Sequence, residues 1–201
     1  GITSVERRAV REAGLAGARE VHLIDEPVAA ALGASLPVTE PVGTMIVDIG
    51  GGTTEVAVLS LGGTVVSESL RIAGDEINDS ISSYLKKKHS MAVGERTSEK
   101  IKIKIGSAFP DNDFDNTSYE VRGLHLSSGL PRSITLTSGE IREAMADPLN
   151  KIVESIKRTL ERTPPELAAD IVERGIMLAG GGALIKGIND LVTQETGIFT
   201  H

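Results

Sequence analysis

The sequence contains no cysteine, and its aromatic residues amount to only 2% of the 201 residues. Disulfide bonds and thiolate metal sites are therefore excluded, and the lack of cysteine fits a reducing compartment. Because aromatic side chains are scarce, the hydrophobic core must be aliphatic. Hydrophobic residues at 40% and charged residues at 24% are typical of a globular domain rather than a disordered chain.

The sequence also lacks a positive net charge and a cluster of metal ligands. The formal net charge of −7 would repel a phosphate backbone over most of the surface, so we expect no nucleic-acid partner. The four histidines (His22, His89, His125 and His201) lack metal-ligand spacing. No apolar run approaches the ~18 residues that span a bilayer, and the opening GITSVERRAV lacks the apolar core of a signal peptide.

The order of helical and strand patterns predicts a mixed α/β fold. In the first half, the predicted elements are a helix opened by the Thr3 and Glu6 capping box, a buried strand over residues 20–24, a helix over residues 27–36, strands on both sides of Gly50 to Gly52, a strand after Gly63 and a helix from Gly74. In the second half, they are strands in residues 119–123 and 133–137, a long helix from Ser138 interrupted by Pro148, a helix ending near Arg174, a strand over residues 175–179 and a helix carrying Leu184, Ile188 and Leu191.

The segment KIKIKIG has two interpretations. Ile101, Ile103 and Ile105 alternate with lysines, and this period of two predicts a strand. The preceding Thr-Ser-Glu and the following Gly106 instead resemble helix caps. The local residues leave both structures open, although periodicity alone favours the strand.

One glycine-rich motif lies between two apolar strands, where Asp48 is followed by Ile49, three glycines and two threonines. We call residues 50–53 the first glycine loop. Glycines let backbone amides approach a phosphate closely, and an adjacent carboxylate can hold the water shell of Mg²⁺. The alternative is a glycine-rich bulge that only connects two strands.

A second motif, Gly180-Gly181-Gly182-Ala183-Leu184, follows an apolar strand and precedes a predicted helix. We call residues 180–184 the second glycine turn. At a helix N-terminus these residues would favour a phosphate or the inner edge of a nucleotide. Ile185 replaces the third glycine of a dinucleotide fingerprint, and Ile188 stands after Gly187 where a Walker motif requires lysine.

Two further groups carry possible chemistry. Glu26 lies at a predicted helix start, where a carboxylate can orient a water for in-line attack on a terminal phosphate. Taken singly, Asp25 or Glu26 is more simply an acid that stabilises the helix start. Glu99 and Lys102 taken singly are a surface ion pair worth under ~1 kcal/mol.

Four segments together resemble one family. The runs LIDEPVAAALGASLPV, VDIGGGTTEVAV, PPELAADI and RGIMLAGGGAL are similar, in order and spacing, to the MreB family of the actin-like ATPase superfamily, with coverage over residues 5–197. The resemblance implies a ribonuclease H-like α/β fold, with a mixed sheet flanked by helices and a small inserted α+β subdomain. It also implies three parts: a first-lobe remnant (residues 1–40), a nucleotide-binding second-lobe core (41–76 and 143–201) and the insert (77–142).

The resemblance also implies a site for ATP and Mg²⁺. The implied binding residues are a phosphate loop (Asp48, Gly50, Gly51, Gly52 and Thr53), a ribose and base segment (Glu99, Lys100, Ile101 and Lys102) and an adenosine pocket (Gly181, Gly182, Ala183 and Leu184). Asp48 would hold Mg²⁺ through water. Glu26 would position the attacking water, with Thr53 assisting, and the base segment would be helical.

The implied function belongs to a longer protein. The family's first phosphate loop and its returning C-terminal segment are absent from the 201 residues, so we expect a partial chain with little or no ATPase activity alone. The full-length protein would be a cytoplasmic ATPase whose filaments associate with the membrane, guide cell-wall synthesis and maintain rod shape. Its expected partners are further copies of itself, membrane-bound cell-elongation proteins and, through regions outside this chain, the inner membrane surface.

Other functions stay open at this point. They are another ATPase of the superfamily, of the chaperone or small-molecule kinase type, and a non-catalytic nucleotide-binding or interaction module. The family interpretation depends on one geometric expectation. The first glycine loop, after Asp48, and the second glycine turn, after Ala179, must lie close enough to enclose one nucleotide.

Overall fold

The computed structural model describes residues 3–201, so residues 1 and 2 of the predicted first-lobe remnant lie outside the described residues. The helices are α1 (Ser4–Leu15), α2 (Glu26–Gly33), α3 (Gly74–His89), α4 (Glu95–Ile105), α5 (Asn112–Asp115), α6 (Ser138–Glu161), α7 (Pro165–Arg174) and α8 (Ile188–Thr196). The strands are β1 (Thr44–Ile49), β2 (Thr54–Ser60), β3 (Gly63–Leu70), β4 (Met91–Ala92), β5 (Ser118–His125), β6 (Pro131–Thr137) and β7 (Ile176–Ala179). The predicted α/β class is confirmed.

The larger sheet has the strand order β3-β2-β1-β7. Strands β1, β2 and β3 form two consecutive antiparallel hairpins, as the sequence predicted, and β7 pairs with β1 in parallel. The apolar run of β1 is buried from Thr44 to Val47, which is typical of a central strand covered on both faces. This sheet is therefore mixed and has β1 near its centre.

Helices cover both faces of the larger sheet. Because side chains alternate along a strand, Ile46 faces one side and joins a small cluster with Ala31 of α2. Val47 faces the other side, where the main core includes Ile77 of α3 and Ile152 of α6. The sheet thus lies between α2 on one side and α3 and α6 on the other.

The smaller sheet has the order β4-β5-β6 and is antiparallel. Its inward side chains, Val121 and Leu136, belong to the same core cluster as Ile81 of α3 and Ile141 of α6. Both sheets therefore share one continuous aliphatic core. The division of the chain into residues 1–40, 41–76 with 143–201, and 77–142 stays a prediction.

Several predicted elements differ from the structure. Residues 20–24 form no strand, because no strand within residues 3–201 lies beside them to accept and donate ladder hydrogen bonds, and Ile24 is 57% exposed. Helix α2 ends at Gly33 rather than at residue 36, since Ser35 has a left-handed backbone with a φ of 59°. Helix α6 continues through Pro148, where the sequence predicted an interruption.

The ambiguous KIKIKI segment is helical and lies in α4. Ile101 and Ile105 are buried at 0% and 1% exposure, whereas Ile103 is 70% exposed. Residues four apart share a helix face, so the helix buries two isoleucines and leaves the third in solvent. The strand indicated by the alternation was wrong, and the cap residues indicated the correct structure.

Two matched substitutions in α4 test this assignment. We expect Ile101→Ala to lower the free energy of unfolding by about 2–5 kcal/mol, because it leaves a cavity in the core. Ile103→Ala should change it by less than about 0.5 kcal/mol, because that side chain is exposed. Urea denaturation of both variants measures the difference. Equal destabilisation by the two substitutions would indicate a strand, in which all three isoleucines share one face.

Candidate functional site

Parallel pairing of β1 with β7 places the two glycine motifs side by side. Asp48 lies opposite Ala179 in the register, so each motif begins at the carboxyl end of its strand and at the same edge of the sheet. A Cβ atom added to Gly180 would lie 2.4 Å from Asp48 Oδ1. The sequence-based expectation that the two motifs are neighbours is therefore confirmed.

Close packing explains two of the three glycines in the second glycine turn. Gly180 has a φ of +81°, which favours glycine. A Cβ atom on Gly182 would lie 2.2 Å from Ile49 Cγ2, whereas one on Gly181 would meet nothing within 4 Å. The turn thus packs directly on the end of β1 at Gly180 and Gly182, and Gly181 faces open space.

The second glycine turn does not open a long helix, contrary to the sequence prediction. Gly181–Leu184 forms a 3₁₀ turn, and α8 begins only at Ile188, because Gly187 with a φ of +72° separates the two. Leu184, which the sequence placed in the helix, is 87% exposed. The turn therefore gains no partial positive charge from the dipole of a long helix. The polar groups that it offers are its own backbone amides.

Hydrogen bonds fix the orientation of the first glycine loop. The Gly50 N–H donates to the Thr53 carbonyl at 2.9 Å, which closes the turn between β1 and β2. The carbonyls of Gly50 and Gly51 accept from the first two amides of α3, Gly74 at 3.1 Å and Asp75 at 2.8 Å. Across a trans peptide bond the next N–H points the opposite way, so the Gly51 and Gly52 amides point away from α3.

Two successive amides that point the same way form a concavity suited to an anion. Gly51, Gly52 and Thr53 are exposed, so this concavity is open to solvent. Both flanking strands are anchored in the sheet, because Ile49 pairs with Thr54 at the base of the hairpin. The loop can therefore receive a phosphate without rearranging the core.

The start of α3 is a part of the site that the sequence analysis missed. Gly74 was identified only as a helix start, yet its amide holds the first glycine loop, and its missing side chain leaves the Gly50 carbonyl 3.3 Å from the Cβ position. The Asp75 carboxylate lies 3.8 to 3.9 Å from the Cβ position of Gly51. A glycine directly before an acid at the end of a hairpin was the available signal.

Helix α4 brings Lys102 to the same place. The Lys102 ammonium donates to the Gly74 carbonyl at 2.9 Å. Burial lowers the pKa of Lys102, and the nearby carboxylates of Glu99 and Asp75 partly offset that effect. A half-buried cation thus adjoins the first glycine loop.

The other residues of the predicted base segment differ in their exposure. Glu99 and Lys100 are exposed, and Ile101 is completely buried in the core. The Ile101 side chain therefore packs against other apolar groups and is not available to a ligand in solvent. Lys102 contacts the start of α3 directly through its hydrogen bond to Gly74.

Asp48 occupies an electrostatically unfavourable position. Burial raises the pKa of its carboxyl group, and the Glu55 carboxylate opposite it on β2 raises the pKa further. No cluster of three or more acidic, histidine or cysteine side chains that could hold a metal occurs within residues 3–201. A cation here would relieve the charge on Asp48, and most of its ligands would be water or phosphate oxygens, a set that Mg²⁺ accepts readily.

Glu26 is the first residue of α2 and is exposed. Helix α2 packs on the sheet face that includes Ile46. The Asp48 side chain projects from that same face, two residues further along β1, because alternate residues share a face. Glu26 and Asp48 thus belong to the same side of the sheet, and both are accessible to solvent in part.

No helix within residues 3–201 combines the length and the apolar composition that crossing a bilayer requires.

The chain is similar in sequence to proteins named for cell shape. It is 54% identical over 199 residues to cell shape-determining protein MreB of Escherichia coli K12, a match covering 98% of this chain and 57% of that relative. It is 47% identical over 195 residues to cell shape-determining protein Mbl of Bacillus subtilis 168, covering 96% of this chain and 58% of the relative.

Solved structures are similar across the whole fold. MreB5 of Spiroplasma citri bound to AMPPNP has a TM-score of 0.95 and 38% identity, covering 100% of this chain and 60% of that one. The MamK double helical filament, at 19% identity and a TM-score of 0.78, supports the fold alone. The predicted actin-like fold is therefore confirmed, and this chain spans less than two thirds of the length of these proteins.

All 201 residues match the sequence model of the family described as MreB/Mbl protein. The family match, the identity to the relatives and the shared fold agree with the resemblance drawn from the glycine motifs. The chain belongs to the MreB/Mbl family.

Proposed function

We propose that the full-length protein containing this chain binds and hydrolyses ATP with Mg²⁺, and that its filaments guide cell-wall synthesis and maintain rod shape. One observation carries the nucleotide part of the proposal. The first glycine loop and the second glycine turn meet at the carboxyl ends of β1 and β7, with the Gly51 and Gly52 amides open to solvent. Nucleotide-bound structures of a similar MreB and the names of the relatives support the rest.

In this proposal, the first glycine loop receives the phosphates. The Gly51 and Gly52 amides donate to phosphate oxygens, and the Thr53 hydroxyl assists at the terminal phosphate. The adenosine part lies between the second glycine turn (residues 181–184) and the base segment of α4, where Lys102 is positioned beside the loop. Glu99 contacts the ribose from the exposed side of the same helix.

Asp48 fits the role of an Mg²⁺ ligand that acts through water. Burial raises the pKa of its carboxyl group, repulsion by the Glu55 carboxylate raises it further, and a divalent cation would offset both effects. Bound Mg²⁺ would neutralise charge on the phosphates during transfer. The protein contributes one acidic side chain, and water and phosphate oxygens supply the other ligands, which is the division expected for a nucleotide-bound Mg²⁺.

Glu26 is the proposed catalytic residue. Its position at the start of α2, on the sheet face shared with Asp48, allows its carboxylate to orient a water towards the terminal phosphate. Family membership removes the chaperone and small-molecule kinase alternatives. A non-catalytic nucleotide-binding module stays the second candidate for the 201 residues alone, since the family's first phosphate loop is not among them.

The remaining proposals concern the whole protein. We place it in the cytoplasm as membrane-associated filaments, in contact with membrane-bound cell-elongation proteins and, through regions outside this chain, with the inner membrane. We also propose the three-part division into residues 1–40, 41–76 with 143–201, and 77–142. The division is supported by the position of the sheets, because the strands of the larger sheet lie in the second part and those of the smaller sheet in the third.

Substitution of a glycine inside the site and of one outside it tests the nucleotide site. Gly182→Ala in the full-length protein should raise the Kd for ATP by about tenfold or more, because its Cβ would overlap Ile49 and displace the turn. Gly63→Ala is the control and should stay within about threefold of the parent protein, since its Cβ would lie 3.9 Å from the nearest atom and Gly63 pairs with Ser60, at the end of β2 away from the first glycine loop. Titration with a fluorescent ATP analogue measures both. Equal affinities for the two variants would contradict the site.

The role of Glu26 predicts a separation of binding from turnover. Glu26→Ala should slow phosphate release from Mg-ATP by about a hundredfold or more while leaving the Kd for ATP nearly unchanged. Glu40→Ala, an exposed carboxylate in the loop after α2, is the control and should keep normal turnover. Unchanged phosphate release in Glu26→Ala would remove its catalytic assignment.

Substitution of Asp48 is expected to have opposite effects on stability and on ligand binding. Because its pKa is raised in the folded protein, ionised Asp48 opposes folding at neutral pH, and this cost disappears as the pH falls and the carboxyl is protonated. Asp48→Asn should therefore raise the melting temperature at neutral pH without nucleotide, with a smaller gain at acid pH. Addition of Mg-ATP should raise the melting temperature of the parent protein by more than that of the variant. A variant that melts below the parent protein without nucleotide would contradict this.

A further inference from the structure

Lys186 lies two residues after the second glycine turn and contacts two side chains on another segment. Its ammonium is 2.9 Å from Asp111 Oδ2 and 3.8 Å from the centroid of the Phe114 ring. The hydrogen bond from Lys186 is the main reason that the pKa of Asp111 lies below its usual range. Lys186 thus combines an ion pair with a cation–π contact on residues that follow α4.

The backbones of the same two segments are also joined. The Ala108 N–H donates to the Lys186 carbonyl at 2.7 Å, and Ser107 pairs with Lys186 as a parallel β-bridge. A Cβ atom on Gly187 would lie 2.8 Å from Phe109 Cβ, so the segments approach too closely for another residue. We call the contact between residues 107–114 and 185–187 the latch.

The latch connects the two segments proposed to hold adenosine. Helix α4, which carries Lys102, ends at Ile105, directly before the first latch segment. The 3₁₀ turn Gly181–Leu184 ends directly before the second. Movement of the glycine turn relative to α4 therefore requires the latch contacts to stretch or break.

We propose that Lys186 is a positioning residue for the nucleoside, because its contacts with Asp111 and Phe114 set the spacing between the second glycine turn and α4. This inference rests on the proposed nucleotide site. Lys186 does not belong to the first glycine loop, which is the proposed phosphate site and is held in place by separate hydrogen bonds from α3. Loss of its contacts should weaken ATP binding and leave the chemical step intact.

The chain offers a matched control for Lys186→Met. Lys157 pairs with Glu195 at 2.6 Å, and the side-chain exposures of 41% and 38% nearly equal the 45% and 38% of Lys186 and Asp111. Lys157→Met therefore removes a similar ion pair from another part of the surface, between α6 and α8. A change seen only in Lys186→Met reports on the latch rather than on the loss of any exposed pair.

The experiment measures ATP turnover by the full-length protein over a range of Mg-ATP concentrations. We expect Lys186→Met to raise the KM for ATP about fivefold to tenfold with kcat within about twofold, and Lys157→Met to change neither. Lys186→Arg should restore the parent KM, because a guanidinium can make both contacts. Asp111→Asn removes the same ion pair and should also raise the KM. It tests the proposal if Lys186→Met does not fold.

The outcomes separate failure of the proposed nucleotide-binding function from failure of the positioning role of Lys186. A parent protein that does not bind ATP would overturn the proposed function itself. A parent protein that binds ATP while Lys186→Met and Asp111→Asn keep its KM would overturn the positioning role alone. The same holds if Lys157→Met raises the KM as much as Lys186→Met, or if Lys186→Arg fails to restore it.

Discussion

The parallel pairing of β1 with β7 is the constraint on which the site depends. The two strands come from distant parts of the chain, and a shift of their register by one residue would reverse the faces of every side chain on β7. The register is secured by contact as well as by hydrogen bonds, because Gly180 and Gly182 leave no space for a side chain beside Asp48 and Ile49. Sheet geometry, rather than flexible loop structure, therefore positions both glycine motifs.

The start of α3 supplies the second constraint. The free amides of a helix N-terminus can bind an anion, but here Gly74 and Asp75 donate theirs to the carbonyls of Gly50 and Gly51. The helix thus orients the loop and leaves the opposite amides for an anion. The unfavourable charges at Asp48 and the half-buried Lys102 lie around this loop, as is common where a site is organised for a charged ligand.

Local patterns predicted much of the fold. The hairpins around Gly50 to Gly52 and the capping box at Thr3 are encoded by residues close together in sequence, and both are confirmed. The strand predicted for residues 20–24 was wrong, because a strand depends on a pairing partner, which local composition does not reveal. In α4 the alternating isoleucines suggested the wrong period, since one of the three is exposed.

Part of the geometry of the candidate site was also predictable. Glycines beside an acid pointed to a candidate phosphate loop, and the resemblance added α4, whose Lys102 contacts Gly74. The role of Gly74 was missed because it acts through backbone hydrogen bonds to a segment that only the folded chain brings near. No side-chain chemistry marks such a contact, so a single sequence contains little sign of it.

Lys102, Gly74 and Gly50 form a short relay of hydrogen bonds, from an ammonium to a carbonyl and from the same residue's amide to the glycine loop. The peptide groups of Gly74 therefore connect α4, which we propose faces the nucleoside, with the first glycine loop, which we propose faces the phosphates. In the proposed site, recognition of the base and binding of the phosphates would consequently be coupled. An evolutionary change in one would have to be accommodated by the other through Gly74.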